Sequence, residues 1–291
     1  MPRMPRPIVL LILAIVPACG SDHSSPYPTA PSSPVPQVLQ QQGLSGFVSD
    51  TAFRSVAGAK VEVLDGPHAG MTLMSDVQGL VSFAAAFSTP VTLRASKEGY
   101  ITLSKASQTS APGGRPWVAF QLEVVAPPVN IAGDYTLTLV ADSACTDIPN
   151  ELRRRSYSAT VAPQPNASAR PGTFYTLTPG GGPFVHGHDN FTIGVAGDYA
   201  AFMVYQGEDF GIVEEIAPAT FFGFYGEGRL SVGAQQPSTL SIPLDGAIDY
   251  CALKPGSLWN SACNSSVPIA HAQCTSKNHQ LILTRRGPVG S

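Results

Sequence analysis

Charge is what this chain has least of: Asp, Glu, Lys and Arg make up 13% of 291 residues, and the formal balance is −3. A mildly acidic protein with no basic stripe lacks the electrostatic footprint of a nucleic-acid binder. Long apolar runs are equally scarce. The one unbroken run, Ile8 to Val16, is roughly half the ~20 residues that cross a bilayer as a helix. Catalytic signatures are missing too. There is no GxSxG, HExxH or HxxE, and Gly180-Gly181-Gly182 leads into Pro183 rather than the lysine of a phosphate-binding loop. No CxxC spacing suggests a metal knuckle. The chain is therefore read as non-enzymatic, with no cofactor and no nucleic-acid partner.

What is present in quantity is glycine, 28 residues, and proline, 27, beside 43% hydrophobic residues. That mixture suits an all-β protein with many turns and enough apolar material for packed cores. Length allows about two domains once a leader and a linker are set aside.

Met1 to Arg6 carries two arginines and no acid, and the apolar run that follows ends at Ala18-Cys19. This is the layout of a secretory signal over 1–18. Val16-Pro17-Ala18-Cys19 resembles the bacterial lipoprotein lipobox, which implies cleavage before Cys19 and its acylation; ordinary signal cleavage is the alternative, since Pro17 departs from the pattern. The resemblance implies a membrane partner through a lipid anchor, and Gly20 in place of a retention aspartate favours the outer membrane of a Gram-negative cell. Residues 19–43 are rich in Ser, Pro and Gln and read as a disordered tether. In polyproline II form it would reach roughly 70 Å at ~3.1 Å per residue.

From 44 to 126 apolar and polar residues alternate: Val61 and Val63, Val81 and Phe83, Val91 and Leu93, then Val118, Phe120 and Leu122. Ser75-Asp76-Val77-Gln78-Gly79 predicts a tight turn, with Asp76 bonding forward and Gly79 supplying positive φ. Together with Gly46-Phe47-Val48-Ser49-Asp50, Val56 to Val63 and Ala95 to Tyr100, these segments resemble the carboxypeptidase regulatory-like domain. The resemblance implies a transthyretin-like β-sandwich that is itself non-catalytic. Leu80 stands where that family often has an aromatic, a difference of packing only.

Pro127-Pro128 marks a boundary, and 130–286 reads as a larger antiparallel module of eight to ten short strands, among them Thr220 to Tyr225, Arg229 to Val232, Leu240 to Leu244 and Gln280 to Thr284, closed as a barrel or folded as a second sandwich. The barrel is preferred. Gly133-Asp134-Tyr135-Thr136-Leu137-Thr138 resembles the first strand of lipocalin-like barrels, and Leu281 to Thr284 is placed to pair with it. The opening GxYxLT, Leu152 to Arg155 and the stretch Cys274 to His279 also resemble uncharacterised regions of bacterial lipoproteins, which carries no function over. Residues 287–291 are a tail.

With Cys19 acylated, four cysteines remain, an even set that reads as disulfides in an exported chain. Of three pairings, Cys145 with Cys274 and Cys251 with Cys263 are favoured, because the first joins the two ends of the module. Arg153 and Arg155 alternate onto the side of Tyr157, where a barrel mouth would offer them to an anionic ligand; a surface run is the plainer alternative. Phe222 and Phe224 are candidates for stacking on a glycan or small ligand, or simply for filling the interior. His186, His188 and Asp189 form the one compact histidine group, a metal candidate and the place where an alternative hydrolase or metal-dependent reading would put its site; a polar loop is the plainer reading. Glu208, Asp209, Glu214 and Glu215 are general acid/base candidates by type, but at strand ends they are expected as solvated charges. Partners expected are the membrane and a glycan or small molecule, in a binding or surface-adhesion role; a purely structural envelope protein with no ligand site is the alternative.

Overall fold

The computed structural model describes residues 43–87, 89–109, 115–165, 169–187, 191–204, 211–233, 238–257 and 268–287. The signal 1–18, Cys19 and the tether up to residue 42 lie outside these residues, as do His188, Asp189, Glu208, Asp209 and Cys263. Among the described residues the chain is all-β, relieved by one 3-10 turn at Asn150–Leu152.

The first eight strands are β1 (Gly43–Asp50), β2 (Lys60–Val63), β3 (Thr72–Met74), β4 (Leu80–Ala86), β5 (Thr92–Ser96), β6 (Leu103–Ala106), β7 (Gln108–Thr109) and β8 (Pro116–Leu122). They form two four-stranded sheets, β4-β1-β8-β7 and β3-β2-β5-β6. Only β1 and β8 run parallel. The alternation decides the packing: Val61, Val63, Leu93 and Ala95 of one sheet meet Val81, Phe83, Val118, Phe120 and Leu122 of the other in a single core. The turn before β4 is built as its sequence demands. The Asp76 carboxylate accepts from the amides of Gln78 and Leu80 at 2.9 and 2.8 Å, and Gly79 sits at φ +80°.

The second module holds β9 (Gly133–Val140), β10 (Arg154–Pro163), β11 (Phe174–Gly180), β12 (Phe184–His186), β13 (Phe191–Ala196), β14 (Tyr199–Val204), β15 (Ile212–Ala217), β16 (Thr220–Ser231), β17 (Thr239–Ala252) and β18 (Ala270–Arg285). Eight of them close a barrel, in the order β9-β10-β11-β13-β14-β16-β17-β18 and back to β9. The first and last strands pair as the sequence suggested, Leu137 opposite Leu283 and Leu139 opposite Leu281. The long β16 pairs along one edge with β15 through its first half and β14 through its second, while β17 takes the other edge. β12 then adds to β15 outside the closed ring.

Inward residues of every barrel strand share one core. It includes Tyr135, Leu137, Tyr157, Tyr175, Ile193, Phe202, Phe222, Phe224, Ile242, Ile248 and Leu283. Each such side chain contributes on the order of 1.5–3 kcal/mol by leaving water. The interior is filled by side chains, as small barrels are.

Two strand expectations are corrected. Thr220 to Tyr225 and Arg229 to Val232 are one strand, because Gly226 and Gly228 make close contacts rather than turns: a Cβ on Gly228 would lie 2.4 Å from Ile242 Cγ2. β17 and β18 are also far longer than Leu240 to Leu244 and Gln280 to Thr284: the added part of β17, Asp245 to Ala252, is buried on both faces at Gly246, Ala247 and Ile248 and so loses the alternation, and that of β18 is polar and pairs through backbone without an apolar pattern to announce it.

Residues 39–291 form one compact unit, and the two modules are locked face to face. The Arg170 guanidinium donates to the Glu123 carboxylate at 2.6 Å and to the carbonyls of Val124, Val125 and Ala126. Thr51 donates to the Val195 carbonyl at 2.6 Å. Gly194 admits this contact, for a Cβ there would stand 2.1 Å from the Thr51 carbonyl oxygen. Ala52, Ala196 and Ala201 are buried between them, with Arg54 stacked on the Tyr199 ring at 4.4 Å.

Candidate functional site

The candidate residues on β10 converge with an acid from far along the chain. Arg155 and Tyr157 lie on the inward side of β10, and Glu214 lies on the inward side of β15, opposite Phe222 of β16. Parity explains Glu214: it shares a face with Ile212, which belongs to the barrel core. Arg155 Nη2 donates to both Glu214 oxygens at 2.5 Å, and the Tyr157 hydroxyl donates to Oε2 at 2.8 Å. The guanidinium also lies 5.8 Å from the Tyr157 ring centre and 5.9 Å from that of Phe222. Phe184 closes the group from β12, its ring 5.2 Å from Tyr157.

This overturns the expectation that Glu214 is a solvated strand-end charge: its side chain is 6% exposed and that of Arg155 is 26% exposed. A carboxylate so placed requires an ion pair and hydrogen bonds, and Arg155 and Tyr157 supply them. Burial pushes the Tyr157 phenol above its usual range; the Arg155 hydrogen bond opposes this and the Glu214 charge adds to it, so the phenol stays protonated and donates. Desolvation works against the Arg155 cation, but its bonds to Tyr157 and Glu214 prevail and its pKa is raised. Arg155 thus has an internal counter-ion.

Arg153 is not part of this group. It ends the 3-10 turn and donates to the carbonyls of Ile148 and Thr146 at 3.0 and 2.7 Å. Phe222 and Phe224 are each 1% exposed within the barrel core, whereas Phe221 points to the outer wall and packs with Val213, Ala219, Cys251 and Leu253. Glu215, also outward, accepts from the Ala219 amide at 3.0 Å. His186 is half-buried on β12, opposite Val213. Its expected companions His188 and Asp189 lie outside the described residues, among which no group of three metal-ligating side chains occurs.

Cys145 and Cys274 are disulfide-bonded. Cys251 is disulfide-bonded as well, and its expected partner Cys263 lies outside the described residues. The first bridge is wrapped in polar contacts that sequence reasoning missed. Asp142 donates its amide to His279 Nδ1 at 3.0 Å, so His279 carries its proton on Nε2 and donates to the Cys274 carbonyl at 3.3 Å. The Asp142 carboxylate accepts from Ala144, Ser276 and Asn278. Backbone and side-chain donors hold its pKa down to about 2, and burial lowers that of His279. On the outer wall, Asp249 is 2% exposed; one oxygen accepts from His271 at 2.8 Å and the other has no hydrogen-bond partner.

Comparison with protein-family models and with curated protein sequences finds no match for this chain.

Proposed function

We propose that this chain is a lipid-anchored cell-envelope protein without enzymatic activity, in which a carboxypeptidase regulatory-like sandwich is a rigid spacer and the barrel is a receptor head. The observation that carries this reading is the joint between the modules. Arg170 engages Glu123 and three successive carbonyls of the connector, and Thr51 and Gly194 bring the two modules into direct contact. A connector held this way cannot act as a hinge, so the head keeps a fixed pose relative to its spacer. Two four-stranded sheets around one core support the sandwich assignment, and export is supported by the disulfides. Because the barrel interior is filled, a ligand would be met on the outer wall. The same filled interior favours a second reading, a purely structural envelope protein.

Anchoring is tested by expressing the full chain and its Cys19→Ser variant in a Gram-negative host with labelled palmitate. Label and membrane fractionation that depend on Cys19 support the reading. A soluble, unlabelled wild-type chain overturns it.

A further inference from the structure

Four adjacent barrel strands carry a groove of about 430 Å³ on the outer wall, lined by Met203, Tyr225, Glu227, Asp245 and Thr275. Register explains its shape. Met203, Glu227 and Asp245 face one another across β14, β16 and β17, forming one wall. Tyr225 on β16 and Thr275 on β18 form the other, with Ala247 of β17 fully buried between them. Between the walls Gly226 lies opposite Gly246, and neither tolerates a side chain: a Cβ would stand 2.5 Å from the Asp245 carbonyl oxygen and 2.0 Å from that of Tyr225, respectively. The floor is therefore bare backbone, kinked by the bulge between Leu244 and Gly246. Three inter-strand spacings of ~4.8 Å give the groove a length of about 14 Å, the span of a di- or trisaccharide.

The chemistry of the walls favours a neutral polyhydroxylated ligand. Glu227 is paired with Arg229 at 3.2 Å and Asp245 with Lys277 at 3.6 Å, all four at the surface, so the carboxylates act as paired acceptors without a net negative field. A carboxylate can accept from two neighbouring hydroxyls at once, and an aromatic ring packs against the apolar face of a pyranose. We propose that this groove binds a neutral oligosaccharide, with Tyr225 as its stacking surface and Glu227 and Asp245 as its hydroxyl acceptors. This rests on the receptor reading and gives it a ligand class.

The test is calorimetric titration of the full chain, in a detergent that contains no sugar, with maltotriose, cellotriose, xylotriose and chitotriose, and with spermidine as a cationic control. The expected result is saturable binding of at least one trisaccharide, weakened about tenfold or more in Tyr225→Ala and reduced in Asp245→Asn. Thr275→Trp, at an exposed position that faces the groove, should block it with an unchanged melting temperature, so the proposal stays testable if Tyr225→Ala is unstable. Spermidine binding without sugar binding, no binding of any trisaccharide, or sugar binding unaffected by Thr275→Trp overturns the proposal. Anchoring through Cys19 is measured separately and is untouched by any of these outcomes.

Discussion

Removing Glu214 isolates the physics of the barrel's polar cluster. Glu214→Ala deletes the acceptor of two Arg155 bonds at 2.5 Å and one Tyr157 bond at 2.8 Å, leaving a guanidinium that is 26% exposed beside the rings of Tyr157 and Phe222. Breaking a buried pair by removing one partner costs ~3–5 kcal/mol, and the partial exposure of Arg155 lets water recover some of this, so about 3 kcal/mol is expected. For a protein of this size that is a fall of about 6–12 °C in Tm. Arg155→Met should cost more, because it strands a carboxylate that is only 6% exposed. The double variant Arg155→Met/Glu214→Leu removes both charges and should return to within about 2 kcal/mol of the parent, so that the cycle shows strong coupling. Urea denaturation of the parent, both single variants and the double supplies the four free energies. A Glu214→Ala cost below about 1 kcal/mol, with additive single effects, would refute the reasoning, since that is the behaviour of a surface pair.

The Cys145–Cys274 bridge spans 129 residues, for which the chain-entropy model gives about 5 kcal/mol, so the Cys145→Ala/Cys274→Ala variant should show a much lower urea midpoint. Buried His279 is held neutral, with its pKa below the unfolded value. Stability should therefore be full above about pH 6.5 and fall as the unfolded state takes up protons below it, and His279→Gln should flatten that limb of the pH-stability curve. Asp142, depressed to about 2, contributes stability above its unfolded value that is lost as pH falls from about 4 toward 2; Asp142→Asn should remove this second acid step. Gly194→Ala forces a Cβ against the Thr51 carbonyl oxygen, and calorimetry should then show two transitions where the parent melts in one.

Much of the fold is local and was therefore legible in the chain. Alternation placed Val81 and Phe83 inside and Leu80 outside, and Asp76 with Gly79 specified their turn. The partnership of the first and last barrel strands could be read from two apolar strands that each need a neighbour. The candidate site was half legible: parity put Arg155 beside Tyr157, but nothing within ten residues could disclose that their acceptor is Glu214, 59 positions from Arg155. The second half of β17 escaped notice because Ala247, Ile248 and Cys251 are buried on both of its faces and blur the alternation, and the polar half of β18 because backbone pairing needs no apolar pattern.

The sequence by itself determined the strand faces, the turns, an even set of cysteines open to three pairings, with the joining of Cys145 to Cys274 coming from the structure, and the scarcity of charge that leaves each buried ion needing a specific partner. Only the tertiary structure decided which partner that is, that the interior is solid, that the connector is clamped by Arg170, and that two glycines from different strands meet to floor a groove. Alternation and turn chemistry act over a few residues, whereas barrel closure sets contacts between strands far apart in the chain, and those contacts decide where a ligand has room to sit.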